Sequence, residues 1–75
     1  MKITLFSYLK LVPIKIREEK KHFIVEDIYS GEFYEMPEIC INAINLLNNG
    51  HSLGDIEQRL KVKYSEEDVN LIDFA

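Results

Sequence analysis

Seventy-five residues, 47% of them hydrophobic, make one domain near the lower size limit for folding without disulfides or metals, and too apolar for intrinsic disorder. A single cysteine, Cys40, excludes an internal disulfide and points to a reducing compartment, the cytoplasm. The formal charge of −4, with bases early (Lys15, Arg17, Lys20, Lys21) and acids dominant from Glu26 onward apart from Arg59, Lys61 and Lys63, argues against nucleic acid as a partner.

Residues 1–12 are greasy, but no run approaches the roughly 18 apolar residues of a membrane span. Tyr8 and Lys10 interrupt the apolar stretch, and no small-residue cleavage site follows, which argues against a secretory signal. Ile3, Leu5, Leu9 and Leu11 recur at period two and predict an extra strand. Phe6, Tyr8 and Val12 leave the other face apolar as well, so such a strand needs cover on both sides or another chain to pair with. Lying along the edge of the third strand of the main domain, it would mimic a guest peptide and block that edge. Pro13 ends the segment.

The main domain, 13–75, opens with Ile14 and Ile16 alternating with Lys15 and Arg17, a half-buried strand. Glu18 to Lys21 form a solvated turn. Phe23 and Val25 then alternate with His22, Ile24 and Glu26 in a second strand ending near Ile28. Ser30-Gly31 supplies the small, permissive residues of a hairpin turn. Glu32 to Met36 return antiparallel, with Tyr34 and Met36 on one face and Phe33 and Glu35 on the other.

Pro37 suits the first position of a helix, where its missing N–H costs nothing. Cys40, Ala43, Ile44 and Leu47 make an apolar stripe at helical spacing, widened by Ile39, Ile41 and Leu46. Asn48-Asn49-Gly50 is a stop signal. Ser52 with Asp55 caps a second helix whose buried side carries Leu53, Ile56 and Leu60, and Tyr64 closes it. Ser65 with Asp68 caps a third, with Glu66, Glu67 and Asp68 in the first turn where the helix dipole favours acids. Val69, Ile72 and Ala75 mark one face of this third helix, and Leu71 and Phe74 lie roughly opposite. With no stop signal at Ala75, the pattern predicts a helix that continues, hence an amino-terminal fragment of a longer protein. The predicted fold is α+β and winged-helix-like, a three-stranded antiparallel sheet packed on three helices.

Chemistry is hard to find in this pattern. His22, Cys40 and His51 are the candidate metal ligands, but their wide spacing shares no helix face. The plainer expectations are a surface residue at a strand end (His22), a turn residue (His51) and a small core hydrophobe (Cys40), whose burial favours the unreactive thiol. Neighbouring carboxylates such as Glu26/Asp27 point apart. No catalytic residue, metal or cofactor is expected. A peptide is the best-suited partner: the third strand, if it lies at the sheet edge, can pair with an extended guest. Phe33 and either Leu71 or Phe74 are then the candidate groove walls.

The stretch "DIYSGEFYEMP", followed by a helix stopping at "LLNNG" and by "SLGDIEQRL" and "YSEEDVNLIDF", resembles the PqqD-like family of leader-peptide recognition domains over roughly residues 13–75. The resemblance lies in the order and spacing of turn and capping signals rather than in any one motif. It implies a domain that captures the leader of a ribosomally made precursor peptide and presents it to a modifying or processing enzyme. The leader would add as a strand along Glu32, Phe33, Tyr34, Glu35 and Met36 and lie beside Val69, Ile72 and Asp73. Members also occur fused to radical-SAM maturases and membrane zinc peptidases, which implies an enzyme attached in cis, with this domain on the cytoplasmic side. Two other readings stay open: a structural or dimerisation domain of a larger enzyme, including a homodimer through strand edges, and a winged-helix transcription regulator. The acids of the third helix weigh against the last.

Overall fold

The structure, a computed structural model, describes residues 1–74. Its elements run α1 (Ile3–Leu9), β1 (Ile14–Glu19), β2 (His22–Asp27), β3 (Phe33–Met36), α2 (Glu38–Asn48), α3 (Leu53–Lys63) and α4 (Glu66–Val69). The result is an α+β domain with a three-stranded antiparallel sheet in the order β1-β2-β3. The placing of hairpin and helices is compatible with a winged-helix outline.

The N-terminal segment is a helix, not the expected strand. Ile3, Phe6 and Leu9 share its inner face and are all buried, whereas Leu11, which period two places inside, is 76% exposed. An apolar segment with greasy residues at almost every position satisfies both periods, and packing against α2 selects the helical one. The helix stops at Leu9 with Lys10 as its C-cap, just short of Val12, which precedes a proline and so avoids the α region. These residues form no strand pairing with β3.

Instead, the start of the chain pairs with its far end. Lys2 and Asp73 form a parallel bridge. The Ile3 N–H donates to Asp73 O (2.8 Å), the Asp73 N–H to Met1 O (2.6 Å), and the terminal ammonium to Leu71 O (2.6 Å). This pairing limits the third expected helix to the single turn α4. Ser65 does cap it, accepting from Asp68 N at 3.3 Å. After Asn70 the chain tightens into i→i+3 turns at Leu71 and Ile72 and then extends. Val69 and Ile72 remain buried as the helical spacing predicts, because an i+3 step keeps them on one side. Ala75 lies outside the described residues.

The other helices follow their signals closely. Pro37 is the residue before the first turn of α2 rather than its first member. Ile39, Cys40, Ile41, Ala43, Ile44 and Leu47 bury its broad apolar face, and Gly50 takes the left-handed conformation at φ +86°. Ser52 caps α3 by accepting from Asp55 N (3.2 Å). Ile56 and Leu60 are buried, but Leu53, one residue after the cap, stays 42% exposed.

In the sheet, β1 is exposed apart from half-buried Ile14, so the β1–β2 hairpin projects from the core. Its two-residue turn between Glu19 and His22 holds Lys20 at φ +37°. Between β2 and β3, the buried carboxylate of Asp27 organises the loop. It accepts from Tyr29 N (2.9 Å) and Ser30 N (3.2 Å), and from the Tyr8 hydroxyl of α1 (2.5 Å). The Tyr8 hydrogen bond, with help from the two backbone donors, holds the Asp27 carboxyl below its usual pKa. The same bond pushes the Tyr8 phenol up to about 12.

Candidate peptide-binding site

The backbone of β3 decides what its edge can do. Hydrogen-bonded and non-bonded pairs alternate along an antiparallel ladder. The Asp27 N–H donates to Glu32 O (2.9 Å), which fixes the phase. In the observed register Val25 pairs with Tyr34 and Phe23 with Met36, so these are the bonded pairs. Phe33 and Glu35, opposite Glu26 and Ile24, therefore turn their N–H and C=O groups away from β2. The other side of β2 agrees: Ile28 N–H donates to Pro13 O (3.1 Å), assigning the even residues of β2 to β1. Among the described residues no strand pairs with the outer side of β3.

Side chains divide in the same way. Met36 is buried and Tyr34 half-buried on the core side, while Phe33 and Glu35 stand on the outer face, Phe33 with 62% of its surface exposed. Glu32 is exposed and accepts from the Tyr34 hydroxyl (2.7 Å), an interaction that raises the Tyr34 pKa. Glu35 lies 3.8 Å from His22 Nδ1.

A cleft of about 240 Å³ adjoins the C-terminal end of this strand, lined by Lys21, Pro37, Glu38, Ile39, Tyr64, Asp68 and Leu71. Tyr64 is fixed by two contacts with α2: it donates to Glu38 Oε2 (3.2 Å) and accepts from the Asn42 amide. Burial, with the charge of Glu38, raises its pKa. The helix wall differs from the one expected. Val69 and Ile72 lie in the core, and the backbone of Asp73 is bound to residues 1 and 3. Half-exposed Leu71, one of the two groove walls expected, does line the cleft, joined by Asp68; Phe74, the other, packs against the core. The part played by Asp68 depends on where α4 stops, and no local signal carries that.

No family model, no curated protein and no solved structure matches this chain. The site is therefore read from its geometry.

A second cleft, about 250 Å³, lies between α2 and α3 and is lined by Asn42, Asn45, Leu46, Arg59, Leu60 and Lys63. Arg59 is already engaged there: its Nε donates to Asp55 Oδ2 (2.8 Å), which His51 Nδ1 also contacts at 2.7 Å. Arg59 first and His51 second hold the Asp55 carboxyl below its ordinary value. No backbone edge runs beside this cleft. Cys40 is buried, and desolvation pushes its thiol up to about 11, far from a nucleophile's range. Among the described residues no group of three His, Cys, Asp or Glu side chains is placed to hold a metal ion. No helix among them is long and apolar enough to cross a membrane.

Proposed function

We propose that the domain is a non-catalytic peptide-binding module that captures an extended segment by strand addition to β3. The guest would be the leader of a ribosomally made precursor, presented to a modifying or processing enzyme joined in cis. The observation that carries this reading is the pair of outward-facing backbone positions, Phe33 and Glu35, on a strand edge with which no described strand pairs. The cleft at the end of the strand, floored by Pro37 and Ile39 and walled by Leu71, offers a place for a guest side chain. The PqqD-like order of strand, turn and capped helices supports the same reading. The buried free thiol of Cys40 agrees with a cytoplasmic setting, or the cytoplasmic side of a membrane enzyme.

The test is a backbone amide NMR titration with leader segments of short precursors encoded beside this gene, using the wild type and Glu35→Pro. Proline at position 35 removes an outward N–H and leaves the β2–β3 bonds intact, so the variant keeps its fold. Strand addition predicts saturable shifts centred on Phe33 and Glu35, lost in Glu35→Pro and retained in Glu35→Ala. Shifts that survive Glu35→Pro, or a spectrum unmoved at about 1 mM peptide, where even weak complexes form, would refute it.

One observation favours a second reading, a structural or dimerisation contact. Tyr8, Leu11, Ile28 and Tyr29 are all exposed, on segments joined by the Tyr8–Asp27 and Ile28–Pro13 hydrogen bonds. A concentration-dependent dimer in light scattering, abolished by Tyr29→Ser with Leu11→Ser, would favour that contact; a monomer throughout would remove it.

A further inference from the structure

We infer that the guest of the β3 edge alternates basic and apolar residues, its basic side chains lying on the outer face of the sheet and its apolar ones on the core side. The inference deepens the strand-addition reading and rests on it.

The register supplies the alternation. A guest strand bonded to the free groups of Phe33 and Glu35 places the residues opposite them on the outer face, and the residue opposite Tyr34 on the core side. This parity holds whether the guest runs parallel or antiparallel. On the outer face it meets Glu35 directly and the ring of Phe33; Glu26, the cross-strand partner of Phe33, lies one strand further in and faces Lys15. A lysine or arginine suits both: its charge faces the Glu35 carboxylate and its stem covers the aromatic ring. Of the bases on that face, His22 stands 3.8 Å from Glu35, a loose contact between exposed side chains, while Lys15 and Arg17 belong to β1, with β2 and β3 between them and the guest. On the core side the guest meets the half-buried Tyr34 ring, whose hydroxyl is occupied by Glu32, so an apolar side chain completes that surface.

Two copies of this chain fit the edge poorly. Self-pairing would bring Glu35 of both copies onto one face of a short ladder of chains that each carry a net −4. Like charges facing across strands are destabilising. The β1 edge is guarded differently, by mixed charges at Lys15, Arg17, Glu18 and Glu19 and no exposed aromatic.

The probes are a short capped peptide alternating lysine with valine and its twin with glutamate in place of lysine. Amide shifts are followed for wild type, Glu35→Lys and Glu57→Lys. The last substitution changes net charge equally on α3, away from the edge. The expected result is that the lysine peptide binds wild type about five-fold or more tightly than its twin, as exchanging an attraction to Glu35 for a repulsion would give. Shifts should centre on Phe33 and Glu35. Glu35→Lys should erase or invert the preference and Glu57→Lys should keep it. Equal binding of both peptides at Phe33 and Glu35 would overturn the charge inference while leaving strand addition standing. A preference lost equally in Glu57→Lys would also overturn it, as a net-charge effect. Failure of either peptide to move the β3 amides would count against strand addition itself.

Discussion

Replacing Phe6 by alanine tests whether the N-terminal segment is a core helix. The Phe6 side chain is fully buried on the inner face of α1. An aromatic side chain covers about 200 Å², worth about 5 kcal/mol at roughly 25 cal/mol per Å². Phe→Ala in protein cores costs about 3–5 kcal/mol. A domain of this length holds about 4–11 kcal/mol in total, so the substitution removes a large share of its stability. The thermal midpoint should fall by roughly 15 °C or more. Leu11→Ala, at a position 76% exposed, should cost no more than about 0.5 kcal/mol. Urea unfolding followed by far-UV circular dichroism reads both. Should Phe6→Ala not fold, the milder Phe6→Leu, at about 1–2 kcal/mol, still orders the two sites. Period two ranks them the other way, so a costly Leu11→Ala beside a neutral Phe6 substitution would refute the helix.

Asp27 makes stability pH-dependent in acid. Its folded pKa is depressed, chiefly by the Tyr8 hydroxyl, so its contribution is present above the unfolded value of about 3.9 and fades as pH falls through the lower folded value. Asp27→Asn should flatten the acid limb of a plot of midpoint against pH; an unchanged limb would remove Asp27 from the account. Tyr8 works in the opposite direction. Its folded pKa of about 12 lies above the unfolded value of about 10, so its share is full below pH 10 and lost toward 12. Tyr8→Phe should abolish the latest-titrating phenol at 295 nm and lower the midpoint by about 5 °C. Cys40, buried with its thiol raised to about 11, should ignore a thiol reagent at pH 8 until denaturant is added, and rapid native labelling would contradict its place in the core. Lys20→Gly should add about 0.5–1 kcal/mol by relieving the left-handed backbone at the hairpin tip. A loss in urea unfolding would show that turn to be built differently.

The hairpin, α2 and α3 were legible because turn residues, caps and apolar spacing agreed there. Ser52 and Ser65 do cap helices, and Gly31 and Gly50 both take positive φ. The two ends were not, for one shared reason. Residues 1–3 and 71–73 determine each other's conformation through hydrogen bonds spanning about the whole chain, and tertiary pairing of that kind overrides local preference. The candidate site divides likewise. Glu32 to Met36 and their alternating faces follow from parity along a strand. Leu71 lines the cleft as one of the expected groove walls, but Val69, Ile72 and Asp73 give way to Asp68 because a helix stopping one turn in reorients everything after it.

The pairing of the two ends also sets how the domain responds to force. Met1–Ile3 and Leu71–Asp73 lie parallel, so tension applied at the first and last described residues acts along both segments in opposite directions. The bonds from Ile3 N to Asp73 O and from Asp73 N to Met1 O are then loaded together in shear. In a terminal hairpin such bonds would instead break in succession, each carrying the load alone. Forced unfolding follows the unfolding rate rather than equilibrium stability. The domain should therefore hold under a pull transmitted through its ends until this small clamp gives way as a unit.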